Sequence, residues 1–435
     1  MKPVSYTLKE KVWITPALYG IGAIILSLAS FYLDLYLVER IRGYIPTIFL
    51  TDVKVGQTIL GILTAAMLTM TTFTFSTVLV VLTMYTSQFS PRAPENFIRS
   101  KTTKHVLGIF VAGFIYNMLS LLYIREDLFD HEILTTSIGI FLVFFCIATF
   151  AYYIHFVASN VQVSTLINKL IKDAEGVIAQ YTELHDKNYV TLDKWEPAKK
   201  RHIITAESAG YLQFLDLVRL VEFAEKQGSE IEVLPKIGDY IYEGKPLMHV
   251  YTDKDEHSPV DNFFTVGDER VAEQDLGYAI QKIIEVAIRA ISPGRQDPNT
   301  ANDILVRLGP LLGKMGQLKT DGLVLTDDAG KNRVLYRFSS YSDIVYRAFY
   351  QISYQGRSDI SVLSAMTDSL IIAAATAPDM RHDTIWKTQL HIIEGLNEAA
   401  LKSLDWKLLQ AKINELAAIV QKNPVDLKKM KETEK

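Results

Sequence analysis

The amino-acid sequence predicts an α-helical integral membrane domain with four transmembrane helices, followed by a cytoplasmic α+β domain. The first observation is the distribution of charge: residues 1–168 contain 20 Asp, Glu, Lys and Arg residues, whereas residues 169–435 contain 74. The second is that the first part contains four runs without these residues, each able to supply the roughly 20 apolar residues that a helix needs to cross a bilayer. We therefore expect a membrane base at residues 1–159 joined to a water-soluble part.

The uncharged runs are Val12–Leu33, Val55–Pro91, Val106–Ile124 and Ile133–Asn168. Each run is predicted to be a helix, because any open structure would leave backbone N–H and C=O groups unpaired in hydrocarbon. Lys2, Lys9 and Lys11 precede the first run, as in a signal peptide. Its length and the three runs behind it favour a helix that is retained in the membrane.

Lys and Arg residues in the short flanks predict the orientation, since these residues resist translocation. The N-terminal flank contains three of them, the second loop contains four and the third loop contains only Arg125. The first loop also carries three, which weakens the contrast. The distribution as a whole predicts that both termini and the soluble part are cytoplasmic, with the acidic loop around Glu126 outside.

The second run is unusual because it is rich in hydroxyl groups. Helical periodicity groups several of them into one stripe, which comprises Thr69, Thr72, Ser76, Thr83 and Ser87. Such a stripe has two physical uses: it lets neighbouring helices approach closely and hydrogen-bond, or it lines a hydrated pore. Both uses predict that the second span lies inside a bundle, away from lipid.

Ionisable groups near the spans are few. Asp34 follows the first run, where it either faces a functional cavity or reaches the interface and pairs with Arg40 or water. Arg92 and His155 are candidates for the cytoplasmic mouth, and the alternatives are a snorkelling stop signal and a hydrogen-bonded structural histidine. No Cys, Asp or Glu lies near His155 at metal-ligand spacing, so neither a metal nor a cofactor is predicted.

The sequence after the spans alternates between helix and strand patterns. Apolar residues recur with helical spacing from Asn160 to about Leu184, which predicts a juxtamembrane helix and linker at residues 160–200. Within residues 201–340, a strand-like segment spans residues 202–214, and residues 236–247 combine turn-forming glycines with alternating apolar residues. The latter pattern is typical of hairpins in barrel-sandwich domains, and we expect a structural module without a covalent cofactor.

The turn-rich segment Ser292–Thr300 lies between two predicted helices, Val271–Ile291 and Ala301–Met315. Asp297 directly precedes a proline, which predicts that its carboxylate caps the second helix. The functional alternative is a ligand loop around Arg295 and Asp297, in which backbone amides at the helix start bind an anion.

The remaining sequence is predicted to be mainly helical at residues 341–422, with a frayed tail at residues 423–435. The chain contains no phosphate-binding loop, zinc-protease, serine-hydrolase or paired-cysteine motif, so no enzymatic activity is predicted. A site built from Asp275 and Asp297 with Arg270 or Arg289 is the least favoured hypothesis. The net charge of −4 gives no indication of nucleic-acid binding.

Several segments, taken together in chain order, resemble one family; they are Ser87–Arg92, Tyr153–Phe156, Gly210–Tyr211 with Gly238–Leu247, and Gln274–Asp275 with Ser292–Ala301. This is the bacterial family of predicted multi-span membrane proteins called domain of unknown function number 2254. The resemblance covers the chain to about residue 400 and implies a bacterial inner-membrane protein with a cytoplasmic C-terminal region, without an established activity. The family often has a second His where this chain has Phe156 and Asn where it has Gln296, which argues against a functional His pair.

These observations favour a homo-oligomeric ion channel or transport-like protein. Four helices with one hydroxyl stripe leave little room for a pore inside one subunit, so symmetric copies of the second span would surround the pathway. The soluble parts would form a vestibule, and the partners would be the lipid bilayer and a small ion or anionic ligand. The alternative is a membrane-anchored sensor or scaffold whose cytoplasmic domain binds a ligand or protein without any pore.

Overall fold

A computed structural model of the chain describes residues 13–88, 100–129, 131–160, 162–187, 189–190, 195–197, 200–253, 263–318, 322–423 and 425–426. The chain divides into two compact units, Met1–Thr165 and Leu166–Lys435. The first contains the four long apolar helices and the second contains mixed helices and sheets. The predicted fold class, four transmembrane helices and an α+β domain, is confirmed.

The helices of the first unit are α1 (Ile14–Leu33), α2 (Val53–Gln88), α3 (Lys101–Tyr123) and α4 (Thr135–Asn160). Each is long and apolar enough to cross a membrane. A π-helical turn, Asp34–Val38, extends α1, and two short 3-10 turns lead from it to α2. With 36 residues, α2 is about 54 Å long, well beyond the roughly 30 Å hydrocarbon thickness of a bilayer.

Helix α3 is the centre of this unit, because it packs against α1, α2 and α4. A glycine on α4 permits one of the closest approaches. A Cβ atom on Gly139 would lie 2.6 Å from Asn117 Oδ1 of α3 and 2.9 Å from Leu60 Cδ2 of α2. Small residues at such positions let helix backbones approach closely within a membrane.

This packing gives a first testable prediction. Replacing Gly139 by alanine should destabilise the first unit by about 1–3 kcal/mol, because the buried Asn117 and Leu60 side chains would have to move. Gly61→Ala is the matched control, since a Cβ there meets no atom within 4 Å. The midpoint temperature of thermal unfolding in detergent should fall for Gly139→Ala and not for Gly61→Ala. Equal midpoints for the two variants would contradict the close approach.

Helix α5 (Val163–Lys187) crosses the boundary between the units, and the second unit contains nine strands and seven further α-helices within its described residues. The strands are β1 (Tyr189–Val190), β2 (Arg201–Thr205), β3 (Gly210–Leu215), β4 (Glu230–Val233), β5 (Tyr240–Ile241), β6 (Pro246–Tyr251), β7 (Phe264–Gly267), β8 (Leu323–Thr326) and β9 (Asn332–Tyr336). The helices are α6 (Leu217–Gln227), α7 (Leu276–Ile291), α8 (Pro298–Gly316), α9 (Tyr341–Gly356), α10 (Ile360–Thr376), α11 (His382–Glu394) and α12 (Ser403–Ile419).

The strands form two sheets around one hydrophobic core. The larger sheet has the order β1-β8-β9-β4-β6-β2, in which only β4 and β9 are parallel, and the smaller has the order β5-β3-β7. Ile231 and Val250 from the larger sheet, Leu212 and Ile241 from the smaller, and Leu220 from α6 are all buried in this core. The two arms of the predicted hairpin therefore belong to different sheets: β5 pairs with β3, and β6 pairs with β2 and β4.

Local chemistry explains where the observed elements differ from the predicted ones. The segment predicted as one strand at residues 202–214 is two strands that join different sheets, because a turn separates β2 from β3. Helix α7 begins at Leu276 rather than at Val271, since the Asp275 side chain caps it by accepting a hydrogen bond from the backbone N–H of Tyr278 in the first turn.

Helix α5 lies parallel to α8. Asn168 Oδ1 accepts a hydrogen bond from Arg307 at 2.5 Å, and Glu175 pairs with Lys314 Nζ at 2.7 Å. Both pairs advance by seven residues on each helix, which is the spacing expected of helices that run side by side in the same direction. The predicted amphipathic character of α5 is confirmed by its buried residues, Leu166, Ile167, Leu170, Ala174, Val177 and Ile178.

Candidate functional site

Helix α2 has two different faces. Leu60, Met67, Thr74 and Val81 recur every seven residues and are at most 4% exposed, so this line of residues packs against the rest of the unit. The predicted stripe residues Thr69, Thr72, Ser76 and Thr83 are all exposed. Each of them lies two positions from a buried residue, which is about 200° around the helix. The hydroxyl stripe therefore faces away from the other helices of its own chain.

The stripe is a narrow band between larger apolar side chains. Leu68, Phe73, Phe75 and Val80 lie one position from the buried line, about 100° around the helix, and are 53–67% exposed. Leu79 lies on the stripe itself, between Ser76 and Thr83, and is 48% exposed. Between Thr69 and Thr83, the exposed band is thus hydroxylated except at one leucine.

The threonine hydroxyls of the stripe are satisfied within the helix. Thr69, Thr72 and Thr83 each donate to the carbonyl oxygen four residues earlier, at 3.0, 2.9 and 2.9 Å. Their oxygen atoms keep lone pairs that can accept further hydrogen bonds from water or coordinate a cation. This arrangement suits both a contact with another helix and a hydrated surface.

The predicted mouth residues are only partly described. His155 is exposed on α4, near the end of that helix. Arg92 and the side chain of Ser87 lie outside the described residues. Within the described ranges, no group of three or more His, Cys, Asp or Glu side chains could hold a metal ion.

Asp297 in the predicted ligand loop caps α8. Its carboxylate accepts hydrogen bonds from the Thr300 backbone N–H at 3.2 Å and from the Thr300 hydroxyl at 2.6 Å. Asp297 and Arg295 are both exposed, and they lie beyond the C-terminal end of α7, whereas Asp275 caps its N-terminal end. Capping accounts for Asp297, and anion binding in this loop stays a prediction.

Asp34 is part of a buried arrangement that the sequence does not reveal. Its side chain is 1% exposed and accepts hydrogen bonds from the backbone N–H groups of Leu134 and Thr135, at 2.8 and 3.1 Å, at the start of α4. His131 Nε2 contacts the Asp34 carbonyl oxygen at 2.9 Å. The interfacial position predicted for Asp34, paired with Arg40 or water, is therefore wrong, because the carboxylate is buried and caps a neighbouring helix instead.

Hydroxyl groups extend this arrangement along α1. The Tyr116 hydroxyl donates to Ser30 Oγ at 3.0 Å and lies 3.1 Å from the Thr135 carbonyl oxygen, while Ser27 Oγ and Ser120 Oγ are 3.1 Å apart. These contacts tie α1 to α3 and α4. The spacing of Ser27, Ser30 and Asp34 on one helix face is the sequence signal that could have indicated them.

A second buried polar cluster lies in the second unit. Arg270 Nε and Asp275 Oδ2 are 2.5 Å apart, so two residues of the least favoured enzyme hypothesis do meet. Burial raises the pKa of the Asp275 carboxyl, and the Arg270 guanidinium offsets part of that effect. The Tyr181 hydroxyl donates to the carbonyl oxygen of Gln274 next door, and burial raises the pKa of Tyr181. The Asp275 carboxylate is occupied by Arg270 and by the cap of α7, which indicates a structural role.

Asp327 and Arg333 form a charged pair at the turn between β8 and β9, and this pair predicts how the stability of the fold depends on pH. Burial alone would raise the pKa of Asp327, but hydrogen bonds from the Lys331 N–H and from Arg333, at 2.7 Å, lower it below its ordinary value near 3.8. A carboxyl whose pKa is lowered by folding stabilises the fold above its unfolded pKa, and this contribution is lost as the pH falls through the folded pKa.

The expected result is a soluble unit that loses stability below about pH 4. Asp327→Asn should lower the unfolding midpoint at pH 7, and it should remove this group's share of the decline in midpoint as the pH falls below about 4. Thermal unfolding followed by circular dichroism at several pH values measures both effects. If the unfolding midpoint of the variant fell with decreasing pH as steeply as that of the wild type, this role of Asp327 would be contradicted.

The observations define a membrane protein with four apolar helices long enough to span a bilayer, followed by an α+β unit. The chain matches the family described as "Predicted membrane protein (DUF2254)" over residues 9–371, and it belongs to that family. It is similar to uncharacterized proteins of Mycobacterium tuberculosis and Mycobacterium bovis, with 24% identity over 348 residues, which cover 77% of this chain and 67% of each relative. No solved structure matches the chain.

Proposed function

We propose that this protein is a homo-oligomeric channel of the bacterial inner membrane, in which α2 stripes from several copies surround a pathway for small ions. The observation that carries the proposal is the direction of the stripe. Thr69, Thr72, Ser76 and Thr83 are exposed on the side of α2 opposite its buried line. Symmetric assembly would bring these exposed bands together around one axis.

The free surface of α2 supports the same assembly. Only 17% of the most apolar stretch of α2 is buried within the chain, whereas 39% of the corresponding stretch of α3 is buried. A band of small hydroxylated residues flanked by large apolar ones suits contact between helices on its edges and a hydrated wall at its centre. The distribution of Lys and Arg in the flanks supports cytoplasmic termini, so the soluble units would lie at the inner end as a vestibule.

Leu79 gives the pathway a constriction. Leu79 lies two positions from the buried Val81, on the side of α2 opposite the buried line, whereas Val80 lies only one position from Val81. Copies of Leu79 would form a ring. Hydrophobic rings of this kind gate pores because water leaves them. We infer that Leu79 limits conduction, whereas the hydroxyl groups beside it keep the pathway hydrated by hydrogen-bonding to water.

Ion flux from liposomes tests this proposal, because some substitutions on α2 should lower the flux and another should raise it. Thr72→Leu and Ser76→Leu should lower the flux by at least about tenfold, since each adds an apolar ring, whereas Leu79→Ser should raise it. Val80→Ser is the matched control, because Val80 lies on the flanking ridge and its substitution should leave flux unchanged. Absence of flux from wild-type liposomes, or equal effects of Leu79→Ser and Val80→Ser, would contradict the proposal.

A membrane-anchored sensor is the second candidate function. A groove of about 770 Å³ on the soluble unit favours it, because this volume is typical of small-molecule sites. The two functions are separable, since Thr72→Leu should leave ligand binding by the soluble unit unchanged.

A further inference from the structure

The groove lies between α9 and α11, and Ile288 near the end of α7 contributes to its lining. Its most prominent feature is a row of tyrosines on α9. Tyr346, Tyr350 and Tyr354 recur every fourth residue and are 52%, 39% and 65% exposed. The rings of Tyr346 and Tyr350 are stacked, with centroids 5.4 Å apart and an angle of 15° between them. The groove thus presents an aromatic wall to solvent.

The C-terminal ends of helices and one carboxylate lie at the same groove, which Arg357 also lines. Helix α7 ends at Ile291, α9 at Gly356 and α11 at Glu394, so three helices have their C-terminal ends beside or near it. Each helix C-terminus carries roughly half a negative charge from its aligned peptide dipoles. The Glu394 carboxylate lines the groove as well and adds a full negative charge.

The groove already holds a cationic side chain against one of its rings. The Arg357 guanidinium lies 4.7 Å from the centroid of the Tyr354 ring, within the range of a cation–π contact. The His391 ring lies 5.5 Å from that of Tyr346, and its Nδ1 is 4.0 Å from a Glu394 oxygen. Aromatic rings, a carboxylate and helix C-termini all favour positive charge, and the position of Arg357 fits this chemistry.

We propose that the groove binds an organic ammonium ion, with its positive charge against the face of Tyr350 that is turned away from Tyr346, in the groove that Glu394 also lines. Aromatic ring faces recognise quaternary ammonium groups because they carry negative charge density. The Arg357 guanidinium competes with the bound ion for the aromatic rings, since it already covers the ring of Tyr354. The proposal is independent of the pathway along α2, and either can fail without the other.

Calorimetric titration of the full-length protein in detergent with choline tests the proposal. Choline should bind saturably, and its neutral carbon analogue 3,3-dimethylbutan-1-ol should bind at least about fivefold more weakly, which corresponds to the roughly 1 kcal/mol of a cation–π contact. This comparison uses only the wild-type protein, so it does not depend on how any variant folds. Equal affinities for the two compounds, or no saturable binding of choline, would overturn the proposal.

Variants then assign the binding to the groove. Tyr350→Phe keeps the aromatic ring and should bind choline like the wild type, whereas Tyr350→Leu should weaken binding by about fivefold. Arg357→Gln should strengthen binding, because it removes the competing cation. Tyr242→Leu is the matched control, since Tyr242 is 58% exposed and lies under Lys245 outside the groove. Weaker binding by Arg357→Gln, or an effect of Tyr242→Leu equal to that of Tyr350→Leu, would overturn the assignment.

Discussion

Replacing Asp34 by alanine is expected to destabilise the membrane unit by about 3 kcal/mol or more. The substitution leaves the backbone N–H groups of Leu134 and Thr135 without their acceptor in a buried site, and each unsatisfied group costs about 1–3 kcal/mol. It also removes a negative charge from the N-terminal end of α4, where the helix dipole favours one. The midpoint temperature of unfolding in detergent measures the loss.

Asp52 provides the matched control for this prediction. It is exposed and accepts one hydrogen bond from the Lys54 backbone N–H at 2.9 Å, at the start of α2. Because water can replace that bond, Asp52→Ala should cost about 1 kcal/mol or less. Asp34→Asn keeps one acceptor oxygen and should fall between the two alanine variants. If Asp34→Ala were no more harmful than Asp52→Ala, the cap on α4 would not contribute as argued.

Replacing Gly238 by alanine should have the largest effect in the soluble unit. Gly238 has φ +87°, a conformation that residues with a Cβ rarely adopt. A Cβ there would collide with Asp275 Oδ2 and would lie 2.6 Å from Arg270 Nε. The substitution therefore breaks the buried Arg270–Asp275 pair or displaces β5, and we expect a loss of about 3–5 kcal/mol, as for other broken buried ion pairs.

Gly244 separates the two causes of this loss. Its φ is +81°, close to that of Gly238, but a Cβ there meets no atom within 4 Å. Gly244→Ala should therefore cost only the backbone strain, about 1–2 kcal/mol. The difference in unfolding free energy between the two variants measures the close approach of Gly238 to Asp275. Equal losses would mean that backbone strain alone accounts for the effect of Gly238→Ala.

The sequence predicts the four spans because the energetic cost of burying charge in hydrocarbon leaves long uncharged runs. It also identifies the hydroxyl stripe of α2, since helical periodicity is a local property. It does not predict which face of α2 is buried, because that depends on contacts such as Leu60 against Gly139, which lie far apart in the chain.

The role of Asp34 could not be predicted for the same reason. Its hydrogen-bond donors Leu134 and Thr135 follow it by 100 and 101 residues. Local signals in the soluble unit were more informative: Asp297 before a proline predicts the cap of α8, and the structure has that cap. The tyrosines of α9 are visible in the sequence as a four-residue repeat, but only the packing of α9 against α11 determines that they are exposed.

Disulfide cross-linking along α2 tests most directly whether its hydroxyl stripe faces a second copy of the chain. In a Cys146→Ser background, Thr69→Cys, Thr72→Cys, Ser76→Cys and Thr83→Cys would be oxidised one at a time in native membranes, with Met67→Cys and Val81→Cys as controls on the buried line. We expect covalent dimers for the stripe positions and none for the two buried positions. Cross-linking that is absent at every stripe position, or equal at stripe and buried positions, would contradict the proposed assembly.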